Sequence, residues 1–311
     1  MKTKAFVSAA LSLSLAVMTV CGCGQTKEKA GSNKSVSILT PYLSAAATKQ
    51  MCESLEKGLK ANGISVNVSD THNDFATLSG KIEDAVTDDT GAIILVSVDP
   101  SQVSTSLKEA FDSDIPVFGC DSGYIDGMQV NATSDNYKMG KEMCDYLFDD
   151  KMQGKGTVVA LTYRPHPGII KRCQAFDDEL KIHPDIKLIK EQQVDVPAGP
   201  IESSQKIMEE LLREYPDKGS ITAVWCAWDE AAIGAEKALE AAGRDEVIVT
   251  GVDGNSQALG LIDKGTDLKA TMSQNFDKMA EMIVDDVTDL LNGKEIQKGE
   301  KYAPASLIKK D

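Results

Sequence analysis

From Ser35 onward, short apolar runs alternate with stretches in which apolar residues recur at helical spacing. The run SVSIL (35–39) predicts a strand, and 46–61 a helix that Gly63 ends. Strand 64–68, helix 75–86 and the buried strand 92–98 (AIILVSV) follow. Next come a helix from Pro100 to Phe111, a strand at 115–119 and a shorter strand at 128–132. The pattern then restarts with helix 137–148, strand 156–161, helix 169–180 and strand 186–192. Helix 201–215 ends before Pro216, strand 221–227 leads into helix 230–242, which Gly243 stops, and strand 247–252 follows. Helix 257–263, strand 268–273, helix 276–291 and a terminal strand at 302–308 complete the order. Apolar strands alternating with helices suit parallel sheets covered on both faces. Two successive series predict an α/β protein of two doubly wound parallel-sheet lobes with a cleft between them.

In such sheets ligands collect beyond the carboxyl ends of the strands. The first strand is followed by Thr40-Pro41-Tyr42-Leu43-Ser44 rather than G-x-G-x-x-G, which removes the dinucleotide fingerprint. Asp121-Ser122-Gly123 follows the strand at 115–119, and Trp228-Asp229-Glu230 the strand at 221–227. Asp253-Gly254-Asn255 follows 247–252, and Gln274-Asn275 closes 268–273. A carboxylate accepts two hydroxyl hydrogen bonds in a water-poor cleft, and an indole covers the C–H face of a sugar ring. Taken singly, Asp229 and Asn255 read better as helix caps, and Asp253-Gly254 as a turn. Together the polar strand ends favour a site for a neutral polyol.

The first 35 residues are of another kind. Lys2 and Lys4 precede an apolar, small-residue stretch at 5–20. It is too short and too rich in Ser and Ala to span a bilayer, which takes roughly 20 strongly apolar residues. Val20-Cys21-Gly22-Cys23 then sets a small residue before a cysteine, as lipoprotein signal peptidase requires. The expectation is a lipoprotein signal peptide over 1–22, diacylglycerol on Cys23 and a polar, flexible tether over 23–35. Two acyl chains anchor stably where one would be marginal. The expected address is extracytoplasmic, lipid-anchored to the bacterial cell membrane. An ordinary secretory signal with two incidental cysteines is the plainer reading of the same residues.

The net charge of −15 argues against nucleic acid as a partner. Cys52, Cys120, Cys144, Cys173 and Cys226 are odd in number, widely spaced and lack a C-x-x-C pair, so they read as small core hydrophobes. His72, His166 and His183 show no ligand spacing, so no metal and no cofactor is expected.

Several of these segments together carry a resemblance. They are Ile115 to Ser122 (IPVFGCDS), Ser134-Asp135-Asn136 with Gly140, Trp228-Asp229-Glu230 with Ile233-Gly234-Ala235, and Val252-Asp253-Gly254. As a set they resemble the ribose/galactose-type sugar-binding proteins of bacterial ABC import systems, over about residues 35 to 308. The resemblance implies the type I periplasmic binding protein fold, with three strands crossing between lobes at 134–136, at 274–275 and on the approach to Ala303. That gives an N-terminal lobe of 36–133 plus 276–301 and a C-terminal lobe of 135–273 plus 302–311. It also implies that Asp121 accepts ligand hydroxyls from the N-terminal lobe. Trp228, Asp253 and Gln274 would contact the ligand from the other lobe or hinge, with Asp229 assisting.

The sequence departs from the family at three places. The family's aromatic clamp early in the first helix is replaced by Ser44-Ala45-Ala46-Ala47-Thr48, with only Tyr42 near. The family's arginine at the start of the second-lobe helix falls nearest Ile170, with Arg172 two residues on, and Arg164 is an alternative source of that cation. Ser122 stands where ribose-type members often have arginine. These departures weigh against ribose itself. The function expected is a monomeric lipoprotein that captures a small polar ligand, a sugar or sugar-like molecule, by hinge closure and delivers it to ABC permease subunits. A sensory module presenting its ligand to a membrane kinase or chemoreceptor would use the same closed surface. Catalysis is disfavoured, since neither G-x-S-x-G nor H-E-x-x-H occurs.

Overall fold

The computed structural model describes residues 34–310. The expected signal peptide, the Cys23 lipidation site and nearly all of the tether lie outside the described residues. Among the described residues no helix is long and apolar enough to cross a membrane.

The first series runs β1 (Ser35–Thr40), α1 (Ala46–Ala61), β2 (Ser65–Asp70), α2 (Phe75–Thr87), β3 (Ala92–Val96), α3 (Ser104–Asp112), β4 (Val117–Cys120) and β5 (Val130–Ser134). The second runs α4 (Asn136–Cys144), β6 (Gly156–Thr162), α5 (Pro167–Ile182), β7 (Ile186–Gln193), α6 (Pro200–Glu214), β8 (Ala223–Cys226), α7 (Asp229–Ala242), β9 (Ile248–Asp253), α8 (Ser256–Lys264) and β10 (Leu268–Gln274). The chain ends with α9 (Phe276–Leu291), β11 (Gly299–Ala303) and β12 (Ala305–Lys309). One sheet has the order β11-β5-β4-β3-β1-β2 and is wholly parallel. The other has the order β12-β10-β9-β8-β6-β7, with only β12 antiparallel. The architecture is therefore two doubly wound α/β lobes.

Each lobe folds around central strands that are apolar on both faces, with more polar strands at the sheet edges. All of β3 (AIILV) is buried, and its side chains alternate between a layer under α1 and α9 and a layer under α2 and α3. The second lobe has one continuous core in which Trp225 packs on Phe176 at 4.6 Å between ring centres. The five cysteines are buried and unpaired, as small core hydrophobes. Burial pushes the thiols of Cys52 and Cys173 up to about 12, far from nucleophilic use.

The structure redraws three expected elements. The expected helix from Pro100 opens as a short 3-10 segment, Pro100–Val103, before α3 begins. The expected helix at 137–148 ends its α-helical part at Cys144 and continues as π-helical turns over Asp145–Lys151. The expected terminal strand at 302–308 is two strands in different sheets. Pro304, which has no N–H to give a ladder, separates β11 from β12.

Candidate functional site

The strand order reverses between β1 and β3 in the first sheet, and between β6 and β8 in the second. A cleft at a topological switch point is where such sheets hold ligands. Here the residues beyond those strand ends, from both lobes, line a single cavity of about 540 Å³, part of it open to solvent. Tyr42, Thr48, Ser97 and Asp121 come from the first lobe; Tyr163, His166, Arg172, Trp228, Glu230 and Asp253 come from the second. Asp121 (φ 50°), Ser97 (φ 60°) and Asp253 (φ 132°) all carry positive φ, so three of the strand ends that line the cavity hold strained backbone.

Asp121 is buried, and the Thr133 hydroxyl donates to its Oδ1 at 3.0 Å. Its Oδ2 faces the cavity, with His166 Nε2 3.8 Å away. Arg172 is only 2 % exposed; its Nε donates to Asn136 Oδ1 at 2.8 Å and its Nη1 to the Ala227 carbonyl at 2.7 Å. That leaves Nη1 3.9 Å from Asp253 Oδ1, an oxygen that also accepts from Gln274 Nε2 at 2.9 Å. Asn136 donates in turn to Thr133 Oγ1 at 3.2 Å. A continuous chain, Arg172–Asn136–Thr133–Asp121, thus joins the two halves of the cavity through the first crossing. Gln274 sits on the second crossing, beside an adjoining cavity of about 470 Å³ lined also by Asp253 and Glu230. Its Oε1 is buried without a hydrogen-bond partner.

Burial dominates the electrostatics. It raises the Asp253 carboxyl well above the usual carboxylate range, with Arg172 pulling the other way. It lowers His166 to about 4, so the imidazole is neutral at neutral pH. His166 Nδ1 accepts the Gly168 N–H at 3.2 Å, which puts the ring proton on Nε2. Tyr163 donates to Asn73 Oδ1 at 3.1 Å and has its oxygen 3.3 Å from the Tyr42 hydroxyl. These contacts, with Gln102 Nε2 to the Pro165 carbonyl at 3.3 Å, tie one lobe to the other across the cleft. Glu230 lines both cavities: burial raises its carboxyl, and the Ala46 backbone at the start of α1 pulls it the other way.

Of the residues singled out from sequence, Tyr42, Asp121, Arg172, Trp228 and Asp253 line the main cavity, and Gln274 lines the adjoining one. Three do not. The Ser122 hydroxyl donates to the Leu95 carbonyl at 2.8 Å and accepts the Val98 N–H at 3.0 Å, pinning β4 to β3 beneath Asp121. Arg164 faces outward, with Nε 2.7 Å from Glu191 Oε1 and Nη2 3.4 Å from Asp177, so among the described residues the arginine that lines the cavity is Arg172. Asp229 lies one layer below, accepting from Thr271 Oγ1 at 2.7 Å and the Asn255 N–H at 2.8 Å. It clamps the ends of β9 and β10 instead of facing the cleft. The sequence reading passed over Tyr163, His166 and Glu230. Each follows a strand end, but Tyr163 and His166 sit in a proline-rich loop without a recognised motif, and Glu230 was overshadowed by Trp228 and Asp229.

The chain matches the periplasmic binding protein domain family over residues 36–295. It is 28 % identical over 302 residues to the ribose import binding protein of Bacillus subtilis, covering 95 % of this chain and 96 % of that one. It is 25 % identical over 260 residues to the xylitol-binding protein of Mycolicibacterium smegmatis, covering 83 % and 72 %. The crystal structure of an ABC transporter solute-binding protein from Agrobacterium vitis with bound allitol superposes with a TM-score of 0.83 at 28 % identity, covering 89 % of this chain and 95 % of that one. These relatives are named as binding proteins, for ribose import, for xylitol and for a solute of an ABC transporter. A match that spans both lobes, on a shared two-sheet architecture, establishes that this chain belongs to the periplasmic binding protein domain family.

Proposed function

We propose that the protein is the extracytoplasmic solute-binding lipoprotein of an ABC importer, held to the membrane through Cys23, and that it closes on a small neutral polyhydroxylated ligand. The observation that carries this reading is the cavity shared by both lobes, with Asp121 on one side and Arg172 and Asp253 on the other. The lobes are taken as 36–133 plus 276–301 and 135–273 plus the tail, except that Tyr302 and Ala303 go with the first lobe, where β11 pairs with β5, and they move about the three crossings. Ligand that touches both lobes only when they are shut draws the equilibrium toward the closed form. Permease subunits would then read that form. Asp121 and Asp253 accept hydroxyls, Arg172 and Gln274 orient them, and Tyr42 with Trp228 cover the apolar face. Binding by relatives of ribose, xylitol and allitol supports a polyol of this size.

Isothermal titration with D-ribose, xylitol and allitol tests the proposal. At least one should bind, and Asp121→Ala or Asp253→Ala should each weaken it by at least about tenfold, or about 1.4 kcal/mol. No binding of any of the three, or full affinity in both variants, would overturn it. Cys23→Ser should move the protein from the membrane fraction to the soluble exported fraction. If the variant stays with the membrane, the lipid anchor is refuted.

A further inference from the structure

His166 has no role in the function proposed above, yet it is built into the cavity. It caps α5: its backbone is extended (φ −85°, ψ 127°), Pro167 occupies the first helical turn, and Nδ1 accepts from Gly168 at 3.2 Å. That bond leaves the ring one donor, Nε2–H, and the imidazole faces Tyr42 at 6.5 Å between ring centres. Across the cleft, Asp121 Oδ1 is engaged by Thr133, so the outward oxygen is Oδ2. The two atoms stand 3.8 Å apart, on side chains only 13 % and 6 % exposed. This is too long for a direct hydrogen bond and short enough for one oxygen atom to touch both.

We infer that His166 and Asp121 form a seat for a single ligand hydroxyl, which accepts from His166 Nε2 and donates to Asp121 Oδ2, and that this hydroxyl links the second lobe to the first. The inference rests on the polyol reading of the site and extends it to a specificity-determining residue. A hydroxyl is the group that fits, because it is both donor and acceptor. A carboxylate or phosphate oxygen would satisfy His166 and face Asp121 acceptor to acceptor. A methyl or a missing hydroxyl would leave both buried groups unpaired. The ligand class is therefore a neutral polyol or sugar, with anionic sugars refused at this position. The same seat gives closure a chemical trigger, since its two partners belong to different lobes.

Two substitutions separate recognition from capping. In His166→Asn the side-chain oxygen can still accept from Gly168, but nothing reaches toward Asp121. In His166→Gln an amide N–H can reach toward Asp121 while the cap is weakened. The probes are D-ribose, xylitol and allitol, with binding followed by titration calorimetry and closure by small-angle scattering. His166→Asn is expected to melt within about 2 °C of the parent, to lose about five- to tenfold in affinity, and to show less compaction at equal probe concentration. His166→Gln is expected to regain part of that affinity despite a lower melting temperature. Binding by the Asn variant within about twofold of the parent would overturn the inference, as would equal losses in both variants. A parent that binds none of the three probes would overturn the underlying reading as well, and is told apart because the variants are then irrelevant to the failure.

Discussion

A neutral imidazole in a cavity walled by Asp121, Arg172 and the nearby Asp99 has a cost that depends on pH. Free histidine titrates near 6.5, whereas burial, aided by Arg172 and opposed by the two carboxylates, brings His166 down to about 4. The unfolded chain therefore takes up a proton that the folded protein refuses. The stability this residue contributes is fully present above about pH 6.5 and is lost as pH falls toward 4. Compared with His166→Asn, the parent should lose more melting temperature between pH 7 and pH 4.5; parallel curves would show that His166 titrates normally. Asp229 has the opposite sign. Its carboxyl is raised by burial to about 6, so its contribution is greatest below about pH 4 and declines as pH rises through 6. Substituting Asp229→Asn places an N–H₂ where either Thr271 or Asn255 now donates, and should destabilise the protein by about 1–3 kcal/mol in urea denaturation. No loss would mean that the clamp on β9 and β10 is dispensable.

At the scale of elements, α7 packs closely against α6 in the second lobe. A Cβ on Gly234 would lie 1.9 Å from Ser204 Oγ and 2.3 Å from the Ile201 carbonyl, a backbone atom that cannot swing aside. Gly234→Ala is therefore expected to destabilise the protein by about 1–3 kcal/mol with the ligand contacts untouched, measured as an earlier denaturation midpoint. An unchanged midpoint would show that the helices can slide apart freely. Gly234 also illustrates what was legible in the sequence. Ile233-Gly234-Ala235 was visible as part of a family-like segment, but the need for glycine there comes from a helix some thirty positions earlier, which periodicity does not reveal. The alternation of buried strands and amphipathic helices exposed the two-lobe architecture because the central strands, such as β3, β4 and β8, are apolar on both faces. Positions at strand ends were equally legible, and Asp121, Trp228 and Asp253 were found that way. The direction of a side chain was not: Ser122 turns to β3, Arg164 to Glu191, and Asp229 to Thr271. Each choice depends on a partner distant in sequence. The split at Pro304 was hidden for a similar reason, since one apolar run supplies strands to two sheets.

At the scale of the whole molecule, the lobes meet through few polar contacts, and Tyr163 makes two of them, to Asn73 and to the Tyr42 hydroxyl. Tyr163→Phe removes both without adding bulk. Under hinge closure, the ligand-free variant should show a larger radius of gyration than the parent and should return to the parent's value at saturating ligand. Identical scattering from variant and parent would mean that the tyrosines do not hold the lobes together. The route of the chain has a further consequence. Strand β11 completes the first sheet beside β5, and α9 covers that sheet next to α1, so the lobe that begins at Ser35 is finished only by residues near the carboxyl end. During synthesis the part of its apolar face that α9 covers stays open while β6 to β10 of the second lobe are made. The first lobe is therefore complete only once residues 276–303 have been made, after every strand of the second sheet except β12.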